Sequence, residues 1–448
     1  PLLRGNKGVV IIMKKRIQTA YFVYNSLIIG GGLLLAPFWL YQLAAKRKHR
    51  SGFLSKLGIT RGGKGRYGSD VIWVHAVSVG EVKAALPLIK ELKKVYPASD
   101  FVISTVTATG QKVAKDSLPD DTVVYFPFDF RLSVRRAIDE ISPSVVIIFE
   151  TELWPNFLRE LNKRDIPILI LNGRISSHSF KRFFFFRYFM EAILSNVDMF
   201  GMQSESDRDR IVALGAKKEN AVVCGNIKYE CRNKDISDEE KETLRGSLGL
   251  REGLRLLVAG STHQGEEEII INVYKRLLDT YKDIALLIAP RHPERGDSVA
   301  KLIKDKGFRP IRRSKPKPDG YKYSPGADVI LLDTVGELSP IYSISELVYV
   351  GGSLIPHGGQ NILEPVYYKK PVVFGNYMDN FRDISGKIIE AGGGIMVESE
   401  EELYTNLARI LASPEVGPKM GENGYRVILQ NRGALKNNVD LVKKMRGR

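Results

Sequence analysis

Val350-Gly351-Gly352-Ser353-Leu354-Ile355-Pro356-His357-Gly358-Gly359-Gln360-Asn361-Ile362-Leu363-Glu364-Pro365 is the stretch on which the fold reading turns. An apolar run, Leu347 to Val350, feeds a glycine-rich loop, and a helix-start signal follows. Glycine lets backbone approach a ligand closely and take positive φ without a Cβ clash. Pro365 lacks an N–H and is tolerated only in a first helical turn, so the helix is expected to begin near Asn361. Free N–H groups and the positive end of the helix dipole then face the loop, which suits a phosphate. Glu364 stands where a carboxylate accepts hydrogen bonds from ribose hydroxyls. A capping box, Asn361 with Glu364, explains the same residues without a ligand, and spacing alone does not choose.

Around this stretch the chain reads as two α/β halves. Short apolar runs at Val71–Ala76, Asp100–Ser104, Thr122–Phe126, Val145–Phe149, Ile168–Leu171 and Asp198–Met202 alternate with helical patterns. That alternation is the mark of a parallel sheet. A polar, charged segment from Cys231 to Glu252 reads as the interdomain linker. The second half repeats the logic at Leu254–Ala259, Ile284–Ala289, Val329–Leu332, Leu347–Val350 and Pro371–Phe374. Such halves hold ligands at the carboxyl ends of their strands. The expected organisation is a tail (1–16), a membrane anchor (17–45), a basic linker (46–70), a first domain (71–230), a linker (231–252) and a second domain with a helical tail (253–448).

With 448 residues, a hydrophobic fraction of 44% and 41 glycines, the chain has the material for buried cores, which excludes a mostly disordered protein. The two cysteines, Cys224 and Cys231, lie too far apart for C-x-x-C, and no histidine neighbours them at zinc-ligand spacing. A disulfide scaffold is not expected. The formal charge of +16 favours polyanions: nucleic acid, anionic lipid or phosphorylated substrates.

The first sixteen residues read as a tail, with Met13 a candidate natural start. No charged residue appears from Ile17 to Ala45, long enough for the roughly 20 apolar residues a bilayer needs. Tyr21, Tyr24, Trp39 and Tyr41 read as interfacial aromatics, and a secretory signal peptide is the alternative. Basic residues follow at Lys46, Arg47, Lys48, Arg50, Lys56, Arg61, Lys64 and Arg66. A single-pass anchor with the body on the cytoplasmic side is therefore expected. The basic stretch suits anionic lipid.

Several strand ends carry polar residues. Glu81 follows Ser78-Val79-Gly80 at a helix start, where the dipole favours an ionised carboxylate able to act as general base; a glutamate serving only the helix is the alternative. Glu150-Thr151-Glu152-Leu153-Trp154-Pro155 follows Val145–Phe149 directly, and carboxylates at a buried strand's end are costly unless paired or functional. Lys228, after Gly225-Asn226-Ile227, can neutralise a developing anion or merely be solvated. Gly260-Ser261-Thr262-His263-Gln264-Gly265-Glu266 joins strand to helix and offers hydroxyls and amides, or an ordinary capped start. Arg291, after Pro290, is a natural phosphate fork, and Val335-Gly336-Glu337 offers backbone beside a helix start. Asp207-Arg208-Asp209 reads as solvated surface, so no metal site is expected. Phe180 to Met190 mixes aromatics with Lys181, Arg182 and Arg187, which suits a membrane or acyl-chain surface or a core helix.

His75-Ala76-Val77-Ser78-Val79-Gly80-Glu81, Glu150-Thr151-Glu152-Leu153-Trp154-Pro155-Asn156, Pro290-Arg291-His292-Pro293-Glu294-Arg295 and the Gly351–Pro365 loop together resemble the Kdo transferases of Gram-negative bacteria. Those enzymes transfer 3-deoxy-D-manno-octulosonic acid (Kdo) from CMP-Kdo to a lipid A precursor. The resemblance implies a GT-B glycosyltransferase with two Rossmann-like domains behind an N-terminal transmembrane helix, at the bacterial inner membrane. It implies Glu81 as general base, with Glu150 and Lys228 stabilising the transition state. Pro290, Arg291, Val335, Gly336, Glu337, Asn361, Ile362, Leu363 and Glu364 would hold CMP. It implies no cofactor, no metal and no nucleic acid. The partners would be CMP-Kdo, the lipid A precursor and anionic membrane lipid. Another membrane-associated GT-B enzyme, an epimerase or different transferase, is the competing reading, followed by a non-enzymatic anionic-lipid or nucleic-acid binder.

Overall fold

Runs such as Val71-Ile72-Trp73-Val74-His75 and Val145-Val146-Ile147-Ile148-Phe149 are buried at every position. Strands covered on both faces are the habit of all-parallel sheets. The structure, a computed structural model, describes residues 17–34, 37, 50–58, 67–230, 235–316 and 320–447. The chain divides into two compact units, one of residues 1–230 and 432–448, the other of residues 231–431.

The first unit is built on β1 (Val71–His75), β2 (Asp100–Thr105), β3 (Thr122–Tyr125), β4 (Val145–Phe149), β5 (Ile168–Gly173), β6 (Met199–Met202) and β7 (Ala221–Val223). They pair in the order β3-β2-β1-β4-β5-β6-β7, all parallel. The second unit uses β8 (Arg255–Thr262), β9 (Ile284–Pro290), β10 (Arg309–Arg312), β11 (Asp328–Leu331), β12 (Leu347–Val350), β13 (Val372–Gly375) and β14 (Gly394–Val397). Their order is β10-β11-β9-β8-β12-β13-β14, again all parallel. In each sheet the strand order reverses once near the centre, between β1 and β4 and between β8 and β12. Parallel sheets bind ligands at the carboxyl ends of the strands flanking such a reversal.

Three strands fall outside the sequence expectation: β7, β10 and β14. All are short edge strands, and β10 reads Arg-Pro-Ile-Arg, without an apolar run. Proline is admitted at an edge, where its missing N–H leaves no ladder bond unmade.

The chain's end departs from the expected second domain. The helix Ala434–Arg446 belongs to the first unit. Its Asn438 is fully buried, and Arg446 Nη2 donates to Asp70 Oδ2 at 2.6 Å. Much of the expected 231–252 linker is a helix, Asp238–Leu248, whose capping box joins Ser237 and Glu240 and which ends at Gly249 with φ 76°. Residues 231–234 lie outside the described residues.

The expected anchor (17–45) falls only in part on described residues. Among the described residues no helix is long and apolar enough to cross a membrane. Residues 17–34 are helical, but this helix lies along the first unit. Tyr21 is buried, Tyr24 Oη donates to Asp129 Oδ2 at 2.8 Å, and Asn156 Nδ2 donates to Asn25 Oδ1 at 2.8 Å. Polar groups at positions 21, 24 and 25 share one face at helical spacing, and they dock on protein. The interfacial role expected of Tyr21 and Tyr24 is therefore replaced by docking. Phe22, Leu27, Leu33 and Leu34 remain exposed on the helix. Trp39, Tyr41, the tail and most of the basic stretch lie outside the described residues.

Candidate active site

β1 ends at His75, and Ser78 caps the helix Val79–Val95 that follows. Glu81 is the third residue of that helix, and both of its oxygens are engaged locally. Val77 N donates to Oε2 at 2.8 Å and Ser78 Oγ to Oε1 at 2.9 Å. This is the capping arrangement the sequence left open. It also fixes the carboxylate's direction while leaving each oxygen a lone pair. Burial raises the proton affinity of Glu81, Glu150 adds to the rise, and the Val77 amide, Ser78 and Lys228 oppose it.

Glu150 follows β4 with φ 61°, a conformation few non-glycine residues adopt. Such strain gathers at functional sites because the surrounding structure must hold it. Here Glu150 N still donates to Leu171 O at 2.9 Å, and Thr151 Oγ1 donates to Arg174 O at 2.7 Å. Lys228 Nζ lies 3.7 Å from Glu150 Oε1, and Arg174 Nε 4.0 Å from Oε2. Two residues on, Glu152 has no cation paired with it among the described residues. Burial first, then Glu81 and Glu150, push its pKa up to about 7. Glu81, Glu150, Glu152 and Lys228 thus share one field at the β1/β4 reversal, three carboxylates of which Glu150 is paired with Lys228.

In the second unit the helix Leu363–Tyr367 begins close to the expected place. Asn361 Oδ1 accepts from Leu363 N at 3.1 Å, and Asn361 Nδ2 donates to Glu364 Oε1 at 3.1 Å. Gly336 has φ 92°, Val335 is exposed, and Glu337 pairs with Arg313 at 2.7 Å. The helix Leu338–Tyr342 after Glu337 packs on the helix Leu363–Tyr367. Arg291, exposed at the end of β9, donates its backbone N–H to Thr262 O at 2.9 Å.

The glycine loop differs from expectation in one respect. Its amides do not all wait for a phosphate. Glu266, fully buried, accepts from Gly352 N at 2.7 Å, Ser353 N at 3.0 Å, Leu354 N at 3.1 Å, His263 N at 2.9 Å and Tyr349 Oη at 2.7 Å. An internal carboxylate occupies the amide nest that an external anion would otherwise use. Five donors offset the cost of burying its charge.

The profile of the family described as 3-Deoxy-D-manno-octulosonic-acid transferase (kdotransferase) matches residues 46–231. The chain is 37% identical to the 3-deoxy-D-manno-octulosonic acid transferase of Haemophilus influenzae, over 83% of this chain and 86% of that protein. It is 31% identical to the enzyme of the same name from Rickettsia felis, over 81% and 75%. The chain belongs to the Kdo transferase family. It is a glycosyltransferase. A solved glycosyltransferase from Rickettsia africae shares the fold, with a TM-score of 0.56 at 15% identity over 85% of this chain and 98% of that one.

Within this Kdo transferase, the sequence missed Glu152 as a separate actor, although the paired carboxylates after β4 were its signal. It missed Glu266 as the organiser of a loop 86 residues away, for which Gly-Glu-Glu-Glu at a helix start gives no sign. Asp207, expected on the solvated surface, is buried and accepts from Ile175 N at 2.8 Å. Among the described residues no group of three or more His, Cys, Asp or Glu is placed to hold a metal ion.

Proposed function

We propose that this chain transfers a Kdo residue from CMP-Kdo to a lipid A precursor at the cytoplasmic face of the bacterial inner membrane, with inversion at the anomeric carbon. One observation carries the assignment of roles: Glu81 lies at the β1/β4 reversal with its proton affinity raised, beside Glu150 and Lys228. Glu81 takes the proton of an acceptor hydroxyl as that oxygen bonds to the anomeric carbon. The bond from that carbon to the CMP phosphate oxygen breaks, and its electron pair leaves with CMP. Lys228, held by Glu150, balances charge around the reacting centre. Pro290, Arg291, the 335–337 segment and Asn361–Glu364 hold CMP, with Arg291 on the phosphate and Glu364 on the ribose.

The acceptor is amphipathic and phosphorylated, and a basic surface with exposed apolar groups suits it. Support comes from the formal charge of +16, from the outward Phe22, Leu27, Leu33 and Leu34, and from exposed Phe184, Phe185, Phe186 and Tyr188. Phe189, on the helix after those rings, packs against Tyr21 with centroids 5.6 Å apart, so the two helices that carry these apolar groups are in contact. Incubation with CMP-Kdo and a lipid A precursor, followed by mass spectrometry, tests the reading. A mass gain of one or more Kdo residues is expected. No gain, together with thermal stabilisation by UDP and none by CMP, overturns it.

A further inference from the structure

The amide nest of the glycine loop is filled by Glu266. What the loop presents beside it is an imidazole. The His357 ring stacks on the His263 ring with centroids 4.2 Å apart and planes 15° from parallel. His292 meets His263 edge-on at 5.9 Å. These three rings come from the ends of β12, β8 and β9, the strands at and beside the reversal in the second sheet. No metal explains the grouping, because stacked rings do not aim their nitrogens at a common point.

The charge balance around His263 is lopsided. The groups facing it are His357 from the glycine loop, Arg291 and His292 from the end of β9, and Glu266 from the helix Glu266–Thr280. Burial holds its proton affinity below the ordinary value, and His357, His292 and Arg291 push the same way. Only Glu266 opposes, and its two oxygens already accept five hydrogen bonds. Arg291 has no ion-pair partner among the described residues. His263 Nε2 lies 3.2 Å from Gln360 Nε2, an amide nitrogen that can only donate. A ring held back from protonation beside the Arg291 guanidinium is what an anion-receiving surface looks like before the anion arrives. An oxyanion placed there offsets the repulsion that keeps the proton away.

We propose that the stacked His263–His357 pair, with Arg291 beside it, is the anion-recognition element of the second unit, and that it takes up a proton when an oxyanion of the sugar donor binds. The inference rests on the reading of this unit as the CMP-Kdo site. Two groups of the donor have the required chemistry, the phosphate and the carboxylate of the sugar acid. The sign of the linkage is fixed. The bound state raises the histidine proton affinity, so donor binding strengthens as pH falls from about 8 toward the ordinary histidine value near 6.5. The donor's phosphate is a diester and does not titrate in that window.

Calorimetry on the full chain, with cytidine, CMP and CMP-Kdo in buffers of different ionisation enthalpy, tests this. The wild type is expected to take up protons with CMP-Kdo and none with cytidine; free CMP, a phosphate monoester that itself titrates at about pH 6, is read for affinity only. His357→Gln and His263→Gln are expected to abolish the uptake and weaken CMP-Kdo roughly tenfold or more, the loss of a charged hydrogen bond, with cytidine affinity unchanged. A loss shared by CMP and CMP-Kdo identifies the phosphate; a loss confined to CMP-Kdo identifies the carboxylate. Wild-type binding of CMP-Kdo without proton uptake overturns the proposal even if a variant fails to fold. No binding of CMP by the wild type overturns the CMP-site reading, and this inference with it.

Discussion

Lys228 Nζ stands 3.7 Å from Glu150 Oε1, so the lysine that lowers the proton affinity of Glu81 is also the partner of the carboxylate that raises it. The couple therefore tunes the candidate base from both directions. A base works only when deprotonated, so its raised proton affinity places the acid limb of kcat/KM above the ordinary glutamate range. Lys228→Met removes the lowering influence and should move that limb to higher pH. Glu150→Gln removes a raising influence and should move it lower. pH–rate profiles of the two variants check this, and shifts in the same direction would remove Glu81 from the titration.

Glu81→Gln tests the base itself. Glutamine still offers an oxygen to Val77 N or Ser78 Oγ, so the helix start survives. Transfer should fall about 10²–10⁴-fold, the usual worth of a general base, with CMP affinity unchanged. Turnover near that of the wild type would leave Glu81 as a helix cap and no more.

On the donor side, Arg291→Ala and Glu364→Ala should each weaken CMP by about 1.5–3 kcal/mol, the range for a hydrogen bond to a charged group. Glu364 also accepts from Asn361 at 3.1 Å, so its variant needs a melting curve beside the titration. Unchanged affinity in both variants would detach CMP from this part of the second unit.

Both parallel sheets were legible because their central strands are buried on both faces and therefore read as unbroken apolar runs. The helix start after the glycine loop was legible because Pro365 permits few other places. β7, β10 and β14 were not, since all are short edge strands buried only in part, and β10 has no apolar run at all. The role of Glu266 was hidden for a different reason. It depends on a loop distant in sequence reaching one carboxylate, and local spacing holds no record of that. The N-terminal helix shows a third limit. Tyr21, Tyr24 and Asn25 suit a membrane interface and a docked face equally, and only Asp129 and Asn156 on the partner surface separate the two.

The return of the chain to the first unit gives a stability prediction. Arg446 pairs with Asp70 and packs over Tyr96, 4.2 Å from the ring centroid. Its hydrogen bond is the main reason the Asp70 pKa is depressed to about 2. A depressed folded pKa stabilises above the unfolded value near 3.9 and loses that contribution as pH falls through about 2. Arg446→Met should therefore lower Tm at pH 7, and the gap to the wild type should narrow between pH 4 and pH 2. A gap constant over that range would assign the effect to packing on Tyr96.

The aromatic rings after Lys181 separate a membrane surface from an ordinary core helix. Consecutive helical positions point about 100° apart, so the rings cannot all face one way. Phe185 is 85% exposed and Phe186 60%, while no residue of the helix Ser177–Phe185 is buried. Arg187 lies over the Phe184 ring at 5.9 Å, so cation and apolar surface are adjacent, as an anionic bilayer surface requires. The double variant Phe185→Ser, Phe186→Ser should reduce sedimentation with liposomes containing anionic lipid, and leave Tm and CMP affinity in place. Phe189→Ser should do the reverse, lowering Tm, because that ring packs against Tyr21 and Tyr24 with centroids 5.6 and 5.9 Å away. Undiminished liposome binding by the double variant would take these rings out of the membrane contact.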